Sequence, residues 1–331
     1  MSELRKIVGN EEILLHIKNA IKAEKVSHAY VLNGANGMGK TMIANYFATL
    51  LQCDEKGDEP CGKCHSCKQA ASDNQPDIIW VRHESPLSIG VRDIIGQVVE
   101  DVQIKPYSSP YKIYIIDEAE LMTIDAQNAL LKTLEEPPEY AIIFLLTNNI
   151  TALLPTILSR CVTLKIKPVS SDVIKKYLME EHNVPEKIAD SSVAFAYGNI
   201  GKALRLSTVE EFGELKSEMV AMISHIEDMD IAEVMAAVKR AESFRLEIGD
   251  YLDLIIAWFR DVLLYKASQK VDQLIFKEEI NEIKKQAAIA SYAGIGDIIS
   301  SVEKAKERLK ANVSFSLVIE LLYLSVSENL R

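Results

Sequence analysis

The stretch Ala29-Tyr-Val-Leu-Asn33-Gly34-Ala-Asn-Gly37-Met-Gly39-Lys40-Thr41 decides the fold. Its first five residues read as an apolar strand, its middle is a glycine-rich turn, and residues 42–51 follow with helical apolar spacing. Residues 34–41 fit G-x-x-x-x-G-K-[ST], in the strand–loop–helix setting that this pattern requires. Glycines let backbone N–H groups turn inward around phosphate oxygens, and the helix N-terminus adds partial positive charge. In this reading Gly34, Gly37 and Gly39 shape a phosphate cradle. Lys40 reaches the β- and γ-phosphates and Thr41 ligates Mg²⁺. A plain glycine turn that caps a helix is the other reading of the same residues.

Working outward, further apolar runs at 77–82, 113–116, 142–147 and 162–166 predict four more strands. Helical patterns at 89–103, 123–134 and 153–158 lie between them. Apolar strands alternating with helices predict a parallel α/β sheet covered on both faces. The strand at 113–116 ends in Asp117-Glu118, 77 residues after Lys40. Asp117 then joins Thr41 in the magnesium shell and Glu118 orients or deprotonates the attacking water; alone, the pair would be a solvated turn. Asn148, at the tip of the 142–147 strand, is placed to meet a γ-phosphate or that water, or is simply a turn residue. Arg160, just before the 162–166 strand, cannot easily reach its own phosphate loop. It can act on a neighbouring chain's nucleotide in trans, or it forms a surface salt bridge.

Four of the five cysteines lie within fifteen residues: Cys53, Cys61, Cys64 and Cys67, spaced C-x₇-C-x₂-C-x₂-C. Such clustering fits a metal in a reducing compartment better than a disulfide framework. Four thiolates suit a closed, structural, tetrahedral Zn²⁺ site. An iron–sulfur cluster or free thiols are the alternatives. His65 is read as a bystander and Cys161 as no ligand.

The 331 residues suggest two or three domains. The net charge of −11 divides as −5 over residues 1–166 and −6 over 167–331, so neither part offers a basic surface for tight stand-alone binding of nucleic acid. Apolar runs are too short to span a bilayer, and the start carries charges without an apolar core, so no secretory signal is expected. A cytoplasmic protein without a membrane partner is the expectation. Nine of ten prolines fall by Pro168, and none follows Pro185. The proline-free remainder reads as helical. Boundaries near 167 and 207 give three domains. Residues 1–167 are the nucleotide-binding domain with the cysteine insert at 53–67, residues 168–207 a small helical domain, and residues 208–331 a larger helical one.

These motifs in this order resemble the AAA+ clamp-loader subunits of bacterial DNA polymerase III. The resemblance rests on His28-Ala-Tyr-Val-Leu before the phosphate loop, the four-cysteine insert and Asp117-Glu-Ala-Glu120. It continues through Asn128-Ala-Leu-Leu-Lys-Thr-Leu-Glu-Glu-Pro137-Pro138, Leu153-Leu-Pro-Thr-Ile-Leu-Ser-Arg-Cys161 and Gly198-Asn-Ile-Gly-Lys-Ala-Leu204. It implies an AAA+, RecA-like α/β domain, a small helical lid and an all-α collar that holds a ring of five. It implies ATP with Mg²⁺, structural Zn²⁺, Lys202 as a basic sensor-2 residue and Arg160 acting in trans on a gamma/tau neighbour. Implied partners are the gamma/tau and delta subunits of the hetero-pentameric ring, the sliding clamp, and primed DNA through the assembled complex. The chain would join the DNA-directed DNA polymerase holoenzyme without a polymerase site of its own. Within the family, the opening Ile7-Val-Gly-Asn-Glu, the chain length and the Trp258-Phe-Arg-Asp-Val-Leu-Leu segment favour the branch that often serves as a stator over the gamma/tau branch. Stators often carry a degraded loop; here Gly34, Gly39, Lys40, Thr41 and Asp117 are intact. Nucleotide binding is therefore expected, and hydrolysis is left open.

Overall fold

A computed structural model describes residues 7–208, 211–311 and 313–330; expectations resting on residues 1–6, on Asn312 and on Arg331 lie outside the described residues. The chain divides into two compact units, Met1–Arg205 and Leu206–Arg331.

The first unit is built on five parallel strands: β1 (Ala29–Asn33), β2 (Ile78–Trp80), β3 (Lys112–Ile116), β4 (Ala141–Thr147) and β5 (Val162–Lys165). Their spatial order is β2-β3-β4-β1-β5. Parallel pairing sets Val31 beside Leu145 and Thr163. Side chains alternate between two buried faces. Ala29, Val31, Tyr114, Ile116, Ile143 and Leu145 enter one core. Tyr30, Leu32, Ile113, Ile115, Phe144 and Leu146 enter the other. Tyr30, Phe47 and Phe144 anchor the second core, with ring centroids 5.1–5.4 Å apart. Each such pair adds ~0.5–1.5 kcal/mol beyond its buried area.

Helices α1 (Glu11–Lys22) and α2 (Lys40–Leu51) cover the Phe144 face, and α3 (His65–Ala71) follows α2. The opposite face is covered by α4 (Val91–Ile94), α5 (Ile124–Glu135) and α6 (Pro155–Leu158). The helix expected over 89–103 is α-helical only in α4. It continues as a π-helical turn at Ile95–Val99 and a 3₁₀ turn at Asp101–Gln103. Ile94, Val98 and Val102 are all buried, so their four-residue spacing satisfies the core through all three forms. The strand expected at 77–82 is shorter, because Asp77 turns to cap a loop. Its carboxylate accepts N–H bonds from Tyr107, Ser108 and Ser109 at 2.6–3.0 Å. Helix α1 has no counterpart among the expected elements.

Helices α7 (Ser171–His182), α8 (Glu186–Ala196) and α9 (Ile200–Thr208) enclose a separate small core of Ile174, Leu178, Val184, Ala189, Val193, Ala196 and Ala203. Gly198 makes the turn before α9 with φ +82°, and a Cβ there would lie 2.5 Å from Pro168.

Among the described residues the second unit has helices and no strand, as the proline-free sequence predicts. Its helices are α10 (Glu211–His225), α11 (Ile231–Glu242), α12 (Ile248–Ser268), α13 (Ile280–Ile289), α14 (Tyr292–Lys310) and α15 (Phe315–Leu330). Trp258 is fully buried; its indole N–H donates to Gln286 Oε1 at 2.7 Å, and Gln286 Nε2 donates to the Ile223 carbonyl at 2.8 Å. Asp261 is also fully buried and accepts the N–H groups of Ile275 and Phe276. On α15 the apolar run does not bury throughout. Leu317, Leu321 and Leu324 stay exposed at the i, i+4, i+7 spacing of one helical face.

Candidate nucleotide site and cysteine cluster

The loop at 34–39 leaves the C-terminal end of β1 and opens into α2. Crevices at the carboxyl ends of parallel strands are where α/β sheets bind ligands. Gly37 and Gly39 take φ +82° and +91°, a left-handed backbone that glycine adopts without strain. The space where a Cβ of Gly39 would stand is open, so the backbone can approach a ligand closely. Gly34 is needed for packing instead, because its Cβ would lie 3.0 Å from Ile166.

Lys40 is 7% exposed. Its ammonium donates to the Gly34 carbonyl at 2.8 Å and to Asn36 Oδ1 at 3.1 Å. It forms no ion pair among the described residues. Burial pulls its pKa below the ordinary lysine value, while Asp117, Glu120 and Glu118 pull it up from a distance. A buried cation held only by neutral oxygens is costly. An anion entering the loop would relieve that cost. This is the fit of the site to a nucleotide phosphate.

The strand order puts β4 between β1 and β3, so the tip carrying Asn148 stands between the loop and the acids. Thr41 Oγ1 donates to Asp117 Oδ2 at 3.4 Å, which pairs the two expected magnesium ligands across the sheet. Glu118 is exposed at φ +50°, a conformation uncommon for a side chain with a Cβ. Asn148 Nδ2 donates to Asn36 Oδ1 at 3.2 Å, and the Asn148 N–H donates to Glu120 at 3.3 Å.

The segment before α9 closes over the loop. The Gly201 N–H donates to the Gly37 carbonyl at 2.9 Å, and Asn199 Nδ2 donates to the Asn36 carbonyl at 2.7 Å. Asn199 Oδ1 accepts from the N–H of Lys202, which sets Lys202 in the first turn of α9. Beside the loop lies a largely apolar cavity of about 140 Å³, walled by Ile7, Val8, Met38, Tyr177, Ile200 and Leu204. None of these six was a sequence candidate. They come from four separate stretches of the chain; Met38 lies inside the phosphate-loop pattern, and Ile200 and Leu204 inside the 198–204 segment. Asn36 and Asn199 were also missed, although Asn36 lies inside the loop pattern.

The structure therefore gathers Gly34, Gly37, Gly39, Lys40, Thr41, Asp117, Glu118, Asn148 and the Lys202 turn around one loop. It leaves Arg160 apart. Arg160 Nη2 pairs with Glu135 at 2.8 Å, and Nη1 donates to the Thr156 carbonyl at 2.8 Å and to Ser159 Oγ at 3.3 Å. The neighbouring Cys161 thiol is pushed up to about 12 by burial.

Cys53, Cys61, Cys64 and Cys67 come together at the far end of α2, their sulfurs all within 4.8 Å of one another. Tetrahedral zinc with Zn–S of about 2.3 Å needs sulfurs about 3.8 Å apart; Cys61 and Cys67 stand at 4.0 Å. Backbone N–H groups of Cys61, Cys64 and Cys67 donate to the sulfurs of Cys53, Cys61 and Cys64 at 3.3–3.5 Å. N–H groups from Lys63 and Cys64 bring the Cys61 thiol down to about 7, while burial pushes the Cys64 and Cys67 thiols up. The donor set fits a soft tetrahedral cation. Ion pairs Lys18–Glu59 at 3.2 Å and Lys22–Asp58 at 2.7 Å tie the insert to α1.

Comparison with known proteins matches residues 9–170 to a family model described as DNA polymerase III, delta subunit. DNA polymerase III subunit delta' of Bacillus subtilis (strain 168) is 32% identical over 317 residues, covering 94% of this chain and 94% of that protein. DNA polymerase III subunit tau of the same organism is 29% identical over 327 residues, covering 92% of this chain but 58% of that longer protein. Among solved structures, a DNA polymerase III gamma subunit-related protein of Thermotoga maritima aligns over 96% of this chain and 99% of that chain, at 18% identity and a TM-score of 0.43. No described helix is long and apolar enough to cross a membrane.

Proposed function

Because the chain belongs to the family of DNA polymerase III delta-prime and gamma/tau subunits, we propose that it is a delta-prime-type subunit of the clamp loader. It acts in DNA replication by helping to load the sliding clamp onto primed DNA. Its partners in that reading are gamma/tau and delta subunits in a five-membered ring. The collar is residues 208–331, the lid 168–207 and the nucleotide-binding domain 1–167. The exposed Leu317, Leu321 and Leu324 face of α15 supports a collar that packs against neighbours.

The chain binds ATP with Mg²⁺ in this reading. The observation that carries it is the buried Lys40 ammonium, without a carboxylate partner and beside the Thr41–Asp117 pair. Gly37 and Gly39 receive the phosphates, Lys40 neutralises them, and Thr41 and Asp117 hold Mg²⁺. Asn148 and Lys202 would serve the γ-phosphate, and the apolar cavity would take the base. Bound Mg²⁺ would supply charge neutralisation on the phosphates. Glu118 is the group available to orient water. The four cysteines hold one structural Zn²⁺. Arg160 serves a neighbour's nucleotide in trans; its guanidinium keeps Nε–H and one Nη2–H uncommitted among the described residues.

The intact loop favours a second reading, a gamma/tau-type ATPase subunit, over a non-hydrolysing stator with no nucleotide at all. Titration of the full chain with a fluorescent ATP analogue and Mg²⁺ tests the nucleotide reading. Binding is expected, and Lys40→Ala should abolish it. Equal binding by wild type and variant would leave only the stator.

A further inference from the structure

Three segments with separate roles in the sequence meet at Asn36. Its side-chain oxygen accepts from Lys40 Nζ at 3.1 Å and from Asn148 Nδ2 at 3.2 Å. Its backbone carbonyl accepts from Asn199 Nδ2 at 2.7 Å. Asn199 in turn accepts the Lys202 N–H and lies against Gly37, where a Cβ would come within 2.7 Å of its Oδ1. One exposed loop residue thus touches the phosphate-binding lysine, the strand-tip asparagine and the turn that starts α9.

We propose that Asn36 is a positioning residue whose side-chain oxygen competes with nucleotide phosphate for the Lys40 ammonium. The inference rests on the nucleotide reading above. Lys40 has one ammonium and three N–H donors. Asn36 Oδ1 and the Gly34 carbonyl are the acceptors it uses. A phosphate oxygen is the stronger acceptor, because a charge-assisted bond of opposite ions exceeds one to a neutral amide. Lys40 therefore turns from Asn36 to the phosphate, and Asn36 Oδ1 is left to the Asn148 amide alone. The Asn36 backbone carbonyl remains tied to Asn199, so movement of the loop is carried to the turn before α9.

The sign of the expected effect separates this role from ordinary loop architecture. Asn36 competes with phosphate for Lys40, so removing its side chain should tighten nucleotide binding. Asn36 is exposed, so water partly replaces the lost acceptor. The gain is therefore about three- to tenfold, less than a buried charge-assisted hydrogen bond would give. The experiment uses the full chain, with ADP and the non-hydrolysable ATP analogue AMP-PNP, in Mg²⁺, read by calorimetry. Asn36→Ala should bind both about three- to tenfold more tightly than wild type. Asn148→Ala should leave ADP affinity within about twofold, because Lys40 keeps its bond to Asn36. Unchanged or weaker binding by Asn36→Ala, at an unaltered melting temperature, overturns the proposal. Asn36→Gly replaces it if alanine lowers the melting temperature, with the same expectation. Absence of binding by the wild-type chain would instead overturn the nucleotide reading itself.

Discussion

Gly201→Ala tests whether the start of α9 must close on the loop for nucleotide to bind. The added Cβ would lie 2.6 Å from the Gly37 carbonyl oxygen and 2.9 Å from Gly37 Cα. Both obstacles are backbone, so no rotamer change relieves them. Restoring an ordinary 3.4 Å contact moves the two segments apart by about 0.8 Å. The Gly201 N–H to Gly37 carbonyl bond, 2.9 Å at rest, then stretches beyond hydrogen-bonding range. Its loss costs ~0.5–1.5 kcal/mol. Residual overpacking costs ~1–3 kcal/mol, offset by the ~1 kcal/mol that alanine gains over glycine in a helix. The net penalty on the closed arrangement is about 0.5–3.5 kcal/mol, or roughly a twofold to three-hundredfold larger nucleotide dissociation constant at 1.4 kcal/mol per decade. Isothermal titration with ADP and Mg²⁺ reads the constant directly. Gly213→Ala is the control, because its Cβ would meet nothing within 4 Å. Binding by Gly201→Ala within twofold of wild type would refute the coupling between this turn and the phosphate loop.

Cys64→Ser should reduce the zinc content of the purified chain from about one equivalent to a small fraction, measured by elemental analysis. A wild-type chain purified without chelators that carries no metal would end the zinc assignment. Burial raises the pKa of Asp261 above the ordinary carboxylate value, only partly offset by N–H bonds from Phe276 and Ile275. Its charge then costs the fold stability at neutral pH, and that cost fades as pH falls through the raised value. Asp261→Asn, which keeps an oxygen for both N–H groups, should melt at or above the wild-type temperature at pH 7, with the gap closing in acid. Asp261→Ala strands two buried donors and should lose ~2–4 kcal/mol in chemical denaturation. Arg160→Ala should leave ring assembly with gamma/tau and delta subunits intact and slow DNA-stimulated ATP turnover, since its partner Glu135 is an exposed surface group; unchanged turnover returns Arg160 to a surface salt bridge.

The strands were legible as continuous apolar runs, to within a residue or two, because β1, β3 and β4 are buried on both faces. The phosphate-loop and acid residues were legible because backbone geometry demands those residue types at fixed spacing. Periodicity failed at 89–103, where Ile94, Val98 and Val102 keep the same spacing through α, π and 3₁₀ turns. It was passed over at α1, although Ile13 and Ile17 are buried one helical turn apart. The apolar wall of the cavity was illegible for a different reason. Ile7, Tyr177 and Leu204 are ordinary apolar residues until the fold brings them together. For Arg160 the salt-bridge reading describes the free chain, where Glu135 is its partner.

Helix α2 runs from Lys40 to Leu51, about 18 Å at 1.5 Å per residue. Its first turn presents the lysine, and Cys53 stands two residues past its last. The cysteine insert thus hangs from the end of a rod whose other end is the nucleotide loop. It is fastened by sulfur and by the exposed pairs Lys18–Glu59 and Lys22–Asp58, and only Cys53, Ser66 and Cys67 within it are buried. The sheet core is complete without it. The insert is therefore a modular attachment point: its length and composition can drift, or a foreign segment be grafted there, while the rod and the loop it carries keep their geometry.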